Sequence, residues 1–489
     1  MVRKPWGLTM RTWTWAVSAV LGLAMMLLSY DRLLKVDPET PWAHGFLCIG
    51  QGEAAKPLDV GTRISTRLRY LPASASDQAM LKALGGAARE TRAALEARLR
   101  SKLIELPVNA MSLLAGTLRE GRLPDPGKDE VLAGSQAPHE EQLNAADRAL
   151  KVVGVLQSSV GLFSDSYLVP QDKSLDGVFL KSEPAVQPVE VIRMSAGEFG
   201  DRKILAQVME AFPRESFILL GPEVRSGPRA FALYLGGQAL FLLGGTGLLI
   251  GLYRWLAGRV TWPVLTEPLQ ELARRPRLLW GVHLVYFGLF VVGAVAIYQL
   301  PTLNTVLMAA VQGELSSKGQ GVLAVAGGAY GTGNMIYAAA VTFIVNFFLG
   351  SLAVITLPSM IIPGSGALVA AFRATLWGLL LGPSQVALAY VMRAHSGTLL
   401  LEGEGYILAT FFALLIPIYL FGSSAPLQTA AVADPRESEP AASEEKASTA
   451  WSRFKHAVVL NLKANVLVAI VVAVAACYEA FEVISMAGL

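Results

Sequence analysis

The chain has 489 residues, of which 53% are hydrophobic and only 16% are charged, and its mean hydropathy is +0.46. Soluble domains carry about 25% charged residues, and here the apolar residues fall in long uninterrupted runs, so an ordinary soluble protein is excluded. The 41 basic and 38 acidic residues leave a net charge of +3, too near balance for a nucleic-acid-binding surface. Two cysteines cannot supply a disulfide framework or a cysteine-rich metal site. We therefore predict an α-helical polytopic membrane protein whose partners include the lipid bilayer and no nucleic acid.

Seven stretches are long enough to cross a bilayer, because about 30 Å of hydrocarbon requires about 20 apolar residues in a helix. The first, at residues 13–30, could instead be a secretory signal peptide, but no small-x-small cleavage site follows it, which favours an uncleaved signal anchor over residues 1–30. The fifth contains Arg373 and the pair Gly382-Pro383, so it is predicted to be either bent or split into two short helices. The other spans are predicted at residues 231–253, 278–300, 335–357, 405–421 and 466–484, with the fifth at 367–392.

Basic residues near the span ends predict the orientation, since cytoplasmic loops are enriched in lysine and arginine. Five arginines lie in the loop 257–277 and at its edge, whereas the loop after the third span holds only Lys318. This contrast places the N-terminus in the cytoplasm, residues 31–228 outside as a domain, and the C-terminus outside, in a bacterial inner membrane. A second span at 229–256 then leads to a five-span core at 278–489, which contains a disordered cytoplasmic linker at 430–450.

The extracytoplasmic segment is predicted to be mixed and helix-rich. Apolar periodicity favours helices over 78–104, 140–156 and 202–212, and short strands are expected at 167–170 and 189–193. Its acidic residues and one histidine could be metal ligands or an acid/base pair, but they show no ligand spacing, so we expect a solvated surface. They are His139, Glu140, Glu141, Asp165, Asp172 and Asp176. No catalytic, metal-binding or cofactor-binding residue is predicted.

Polar residues inside the predicted membrane core are few, and each is costly in lipid unless it finds a partner. Asn346 is interpreted as a helix–helix contact, and Arg373 as paired with Glu402, Glu404 or Glu479, with a substrate-facing role as the alternative. His395 is expected to be solvated near the outer boundary. Glu402 and Glu404 are expected to cap the start of the sixth span, although they could also line a cavity.

Several of these residues stand in patterns that resemble a known family. Phe343-Ile-Val-Asn346-Phe-Phe-Leu-Gly350 is followed by a Pro/Gly-rich break over 358–366, and His395, Glu402 and Ala409 follow in order, before a last span that contains Glu479 and Glu482. Over residues 275–489 the chain resembles the stage II sporulation protein M family. The resemblance implies a five-span, non-enzymatic scaffold that recruits peptidoglycan-degrading enzymes.

Two further patterns concern packing. The second span is rich in glycine, which predicts close packing either within the bundle or between copies in a homo-oligomer. The arginine-rich piece at 262–275, which we expect to be broken by Pro263 and Pro268, is predicted to lie at the membrane interface with its arginines toward lipid phosphates.

The sequence thus favours a membrane scaffold or assembly protein that docks extracytoplasmic partners, with cell-wall remodelling enzymes as candidates. The alternative is a permease or transporter subunit with a substrate path at the broken helices 358–383. No phosphate-binding loop of the Gly-x-x-x-x-Gly-Lys-[Ser/Thr] type occurs, so ATP use would need a separate ATPase subunit. An intramembrane hydrolase that uses His395 with Glu402 or Glu404 ranks third, and we expect no enzymatic activity.

Overall fold

The computed structural model describes a helical bundle and a sheet domain. Apart from isolated positions, the residues described are 10–34, 45–49, 61–71, 100–135, 141–145, 148–157, 160–172, 176–180, 186–195, 217–221, 226–300, 322–421 and 450–487. The predicted helix at 202–212, the linker at 430–450, and His139 with Glu140 lie outside these residues.

Six of the described helices are long and apolar enough to cross a membrane, and the chain is therefore a multi-pass helical membrane protein. A seventh apolar helix is shorter, with 17 residues. The bundle helices are α1 (Met10–Ser29, continued by one wide turn to Leu34), α4 (Pro228–Ala257), α6 (Pro276–Gln299), α7 (Val322–Gly331), α8 (Met335–Ile361, with wide π-type turns over Ile344–Thr356), α9 (Ser365–Leu381), α10 (Val386–Phe421) and α11 (Ala450–Ala487), and α5 (Pro263–Arg274) packs beside them.

The described residues between α1 and α4 form one ten-stranded sheet in the order β10-β1-β9-β2-β3-β8-β5-β7-β4, with β6 paired to β7. Most neighbours are antiparallel, and β3–β8 and β5–β7 are parallel. The strands are β1 (Gly45–Ile49), β2 (Thr62–Tyr70), β3 (Lys102–Leu106), β4 (Leu118–Gly121), β5 (Glu130–Ala133), β6 (Gln142–Ala145), β7 (Arg148–Leu156), β8 (Ser166–Pro170), β9 (Val186–Arg193) and β10 (Phe217–Gly221), with the short helices α2 (Val108–Ser112) and α3 (Asp176–Leu180).

Both faces of this sheet are covered. Successive side chains of a strand point to opposite faces, and along β8 Tyr167 and Val169 belong to one apolar cluster while Leu168 belongs to the other. The two strands predicted at 167–170 and 189–193 are confirmed as parts of β8 and β9.

The helix-rich prediction is wrong for the described part of this domain. The helix predicted over 140–156 is the hairpin β6–β7, and the end of the helix predicted over 78–104 is strand β3. The reason is visible in β7, where Leu150 and Val152 face the apolar cluster and alternate with the exposed Ala149 and Lys151. Period-two alternation of this kind satisfies a sheet, and a few apolar residues in it also match helical spacing.

Helix α10 is the centre of the bundle. It packs against α4, α6, α8, α9 and α11. Most residues in its most apolar segment are buried. The spans predicted at 367–392 and 405–421 therefore need correction. The chain does break at Gly382, where α9 ends, but α10 then runs unbroken through residues 393–404, which lie between two of the predicted spans.

The turn between α9 and α10 lies at the same end of the bundle as the start of α4 and the end of α6. The Ser226 hydroxyl donates to the Pro383 carbonyl at 2.9 Å, and the Tyr298 hydroxyl donates to the Ser226 carbonyl at 3.1 Å. The 17-residue α9 is about 25 Å long at 1.5 Å per residue, only slightly less than the hydrocarbon thickness.

The glycines of α4 pack mainly within the chain. A Cβ on Gly244 would overlap the backbone of Ala19 in α1, and one on Gly237 would overlap α1 near Met25, whereas Gly236 and Gly251 have nothing within 4 Å. Close packing of α1 on α4 thus accounts for part of the glycine pattern, and a role in self-association remains a prediction for the open positions.

Helix α5 is the amphipathic piece predicted at 262–275. It starts at Pro263, contains Pro268 without breaking, and buries Leu265, Leu269 and Leu272 against the bundle. Helix α11 begins at Ala450, well before the predicted span at 466–484, so Lys463 lies on a helix where it binds Glu267 of α5 at 2.7 Å.

Candidate functional site

The polar residues singled out in the sequence converge on the central helix α10. Glu402 and Glu404 are buried in the middle of this helix, so the prediction that they cap a helix start is wrong. They lie two residues apart, which at 3.6 residues per turn places them on nearly opposite faces. Two separate clusters follow from this spacing.

The first cluster joins Glu402 to α9. The Arg373 guanidinium donates to the Tyr406 hydroxyl at 2.5 Å and lies 3.4 Å from a Glu402 carboxylate oxygen, and the Tyr406 hydroxyl donates to the same oxygen at 2.7 Å. Arg373 also stacks over the rings of Tyr406 and Trp377, at 3.9 and 5.4 Å from the centroids. The prediction that Arg373 is charge-paired is confirmed, and its partner is Glu402.

Gly350 of α8 makes room for this arrangement. A Cβ at this position would lie 2.8 Å from an Arg373 guanidinium nitrogen and 3.0 Å from the Tyr406 hydroxyl oxygen. Asn346, one turn earlier in the wide-turn segment, is half-buried, and among the described residues its side chain has no hydrogen-bond partner.

Beside the same face of α10, His395 pairs with the last helix. Its Nδ1 lies 3.2 Å from a Glu482 carboxylate oxygen, and the Thr398 hydroxyl donates to the other oxygen at 2.6 Å. The expectation of a solvated His395 is therefore wrong, because the continuous helix α10 turns this side chain toward α11. Glu479, one turn before Glu482, interacts with the Tyr330 hydroxyl of α7 and electrostatically with Glu402 and His395.

The second cluster lies on the opposite face of α10 and includes a residue that sequence reasoning missed. His283 of α6 binds Glu404, with 2.6 Å between Nε2 and a carboxylate oxygen, and both side chains are almost fully buried. Tyr253 of α4 lies beside the pair. A single histidine in an otherwise apolar stretch was the only available signal, and its partner lies 121 residues away in the chain.

Among the predicted surface residues of the sheet domain, the acidic ones that the structure describes do not come together. Asp165 pairs with the buried Lys102, and Asp176 binds Arg67 at 2.8 Å. Elsewhere in the domain, Arg122 and the Asp125 amide lower the pKa of Glu130 to about 2 by binding its carboxylate. Within the described part of the chain, no group of three or more His, Cys, Asp or Glu side chains is arranged to hold a metal ion.

Both cysteines are free. Cys48 is buried in β1, and desolvation raises the pKa of its thiol to about 12, so little of it is present as the reactive thiolate at neutral pH. Cys477 is exposed on α11.

A scan against models of protein families found no match, and a search of curated proteins found no relative. The resemblance to the stage II sporulation protein M family therefore stays a prediction.

Proposed function

We propose that this chain is an integral inner-membrane scaffold or assembly protein whose sheet domain docks protein partners on the extracytoplasmic side. One observation carries the proposal. Each of the ionisable side chains on the central helix α10 has a partner within the chain: Arg393 with Tyr30 and Tyr390, His395 with Glu482, Glu402 with Arg373, and Glu404 with His283.

Internal pairing of this kind favours a permanent support over a substrate path. A polar substrate in a membrane bundle needs side chains that are free to bind it, and breaking a buried ion pair costs about 3 to 5 kcal/mol. The aromatic rings stacked on Arg373 add to that cost. A bundle stabilised by such internal pairs is suited to holding a domain in a fixed position.

The proposed topology has seven crossings, with the N-terminus in the cytoplasm and the sheet domain outside. Two observations support it: the turn after α9 lies with the start of α4 and the end of α6, and α5 with its flanking arginines belongs at the opposite, arginine-rich end. In this arrangement α9 counts as a short span.

The short helix α2 offers a docking position on the sheet domain. Val108 at its start and Leu113 just after its end are 48% and 45% exposed. The buried core of a protein interface is more apolar than the surrounding surface, and two exposed apolar side chains at one helix fit such a core. The resemblance noted above makes peptidoglycan-active enzymes the first candidates for the partner.

Affinity purification of the chain in mild detergent, followed by mass spectrometry, tests the proposal. We expect extracytoplasmic wall enzymes to copurify with the unmodified chain and to be lost from Leu113→Asp, while Gln142→Glu, which also adds one negative charge at an exposed position of the sheet domain, retains them. Recovery of the same proteins with both variants would count against α2 as the docking position, and absence of any extracytoplasmic partner would count against the scaffold.

A transporter subunit is the second candidate, and one observation favours it. Helix α9 is short and is followed by a break at Gly382-Pro383, and the Arg373 side chain that it carries remains 24% exposed. Discontinuous helices near the bilayer midplane commonly form substrate sites. Copurification of an ATPase subunit, together with loss of substrate uptake in Arg373→Lys, would favour this function.

A further inference from the structure

The cluster formed by His283 and Glu404 has a geometry that determines how many protons it holds. His283 Nδ1 lies 2.8 Å from the Leu279 carbonyl oxygen, and because a carbonyl only accepts, Nδ1 must carry a hydrogen. The remaining nitrogen, Nε2, faces the Glu404 carboxylate at 2.6 Å. Two lone pairs would repel at that distance, so at least one proton must lie between these atoms.

A second proton is excluded by burial. The side chains of His283 and Glu404 are 1% and 0% exposed. With one shared proton the pair is neutral overall, whether the proton resides on the imidazole or on the carboxyl. A second proton would give a net charge of +1 and loss of the proton a net charge of −1, and either charge would be buried without a counter-ion.

The surroundings supply no such counter-ion. Tyr253 of α4 is the titratable group beside the pair, and in the described structure both its hydroxyl and the second Glu404 oxygen lack a hydrogen-bond partner. The neighbouring Arg254 is exposed. On the other elements that pack nearby, Glu402 faces Arg373, and Glu271 of α5 is bound by Arg274 and Arg275.

We propose that His283 and Glu404 form a proton-binding site between α6 and α10 that holds one proton as long as the bundle is closed. Since water does not reach either side chain, the proton exchanges with solvent when α6 separates from α10. Separation of these helices is thereby linked to proton uptake or release. The site does not depend on the docking function proposed above.

The test is the pH dependence of unfolding of the full-length protein, by titration with sodium dodecyl sulfate in mixed micelles, for the unmodified chain and for Glu404→Gln. The glutamine amide can donate to neutral His283 Nε2, so the variant keeps the hydrogen bond but not the shared proton. In the unfolded state of the unmodified chain, Glu404 is ionised above the reference glutamate pKa of about 4.3. The folded unmodified chain therefore binds one proton more than the folded variant, and the unfolded forms bind equal numbers.

The linkage between proton binding and folding gives the sign and the size of the expected pH dependence. The unfolding constant of the unmodified chain should rise relative to that of Glu404→Gln by about tenfold per pH unit, or about a thousandfold from pH 5 to pH 8. In the ratio of the two unfolding constants, the contributions of the other titrating groups cancel. Tyr253→Phe, which leaves the pair intact, should keep the pH profile of the unmodified chain.

A pH-independent ratio between the unmodified chain and Glu404→Gln would overturn the proposal. If Glu404→Gln fails to fold, the double variant His283→Gln/Glu404→Gln replaces it. Neither its folded nor its unfolded form binds a proton at these two positions, so above the reference histidine pKa of about 6.5 the unfolding constant of the unmodified chain should rise about tenfold per pH unit relative to the double variant. A ratio that stays constant above that pH would again refute the shared proton.

Discussion

The pairing of Arg373 with Glu402 predicts a large and specific energetic coupling. Glu402→Gln leaves the guanidinium in the bundle without a counter-charge. Removing one member of a buried pair costs about 3 to 5 kcal/mol, and an unpaired arginine at a helix centre costs at least about 2.5 kcal/mol on insertion scales. The Arg373 side chain keeps 24% of its exposure and retains the Tyr406 hydroxyl as a partner, so we expect the lower end, about 2 to 3 kcal/mol.

Arg373→Leu should cost a similar amount, because it leaves Glu402 with its hydrogen bond from Tyr406 at 2.7 Å but without a counter-charge. The double variant Arg373→Leu/Glu402→Gln should lose less stability than the sum of the single variants, by about 1 to 3 kcal/mol. The stability loss of each single variant and of the double variant is measured as the change in its free energy of unfolding in mixed micelles.

The matched control is Arg373→Leu combined with Glu404→Gln. Glu404 is paired with His283 on the opposite face of α10, so these two losses should add to within about 0.5 kcal/mol. Additive losses in the Arg373/Glu402 double variant would refute the pairing, and equal coupling to both glutamates would show that α10 is not oriented as described.

Three further outcomes are expected. Gly244→Ala should lower the free energy of unfolding by about 1 to 3 kcal/mol, because the added Cβ would overlap the backbone of Ala19. The control Gly251→Ala should be nearly neutral, because nothing lies within 4 Å of the added Cβ. Equal losses in the two variants would contradict the packing of α1 on α4. The pKa of Glu130 is lowered to about 2, so its ionised carboxylate stabilises the sheet domain at neutral pH. This contribution should be lost as the pH falls from about 4.3 through 2. Glu130→Gln should flatten that part of an acid denaturation curve, and an unchanged curve would count against the contribution of Glu130. A cysteine at the exposed Lys128 should react with a membrane-impermeant reagent before the inner membrane is permeabilised, and reaction only afterwards would overturn the proposed orientation.

The sequence predicted those parts of the bundle that depend on one helix at a time. Apolar length located the spans near 231–253, 278–300 and 335–357 to within a few residues, and the Gly382-Pro383 pair marked the end of α9. A broken helix is a local property of the chain, since proline lacks the amide hydrogen and glycine weakens the helix.

Residues 393–404 show why other parts could not be predicted. Hydropathy assigns each polar side chain its cost in lipid as if it were alone, so His395, Glu402 and Glu404 together predict the end of a span. Their partners Glu482, Arg373 and His283 come from three other helices, and pairing offsets the cost. Only the folded arrangement shows which residues meet, and for the same reason the sequence does not predict the pairing of His283 with Glu404.

Site-specific photocrosslinking tests the central claim, that the sheet domain docks a protein partner, most directly. A photoreactive amino acid is placed at Leu113 of the sheet domain and, as the control, at Ile336 of α8, which is 83% exposed on an apolar membrane helix. We expect irradiation of intact cells to give a discrete protein adduct from position 113, containing an extracytoplasmic enzyme, and no such adduct from position 336. Absence of a protein adduct at position 113, or the same adduct from both positions, would contradict the docking function.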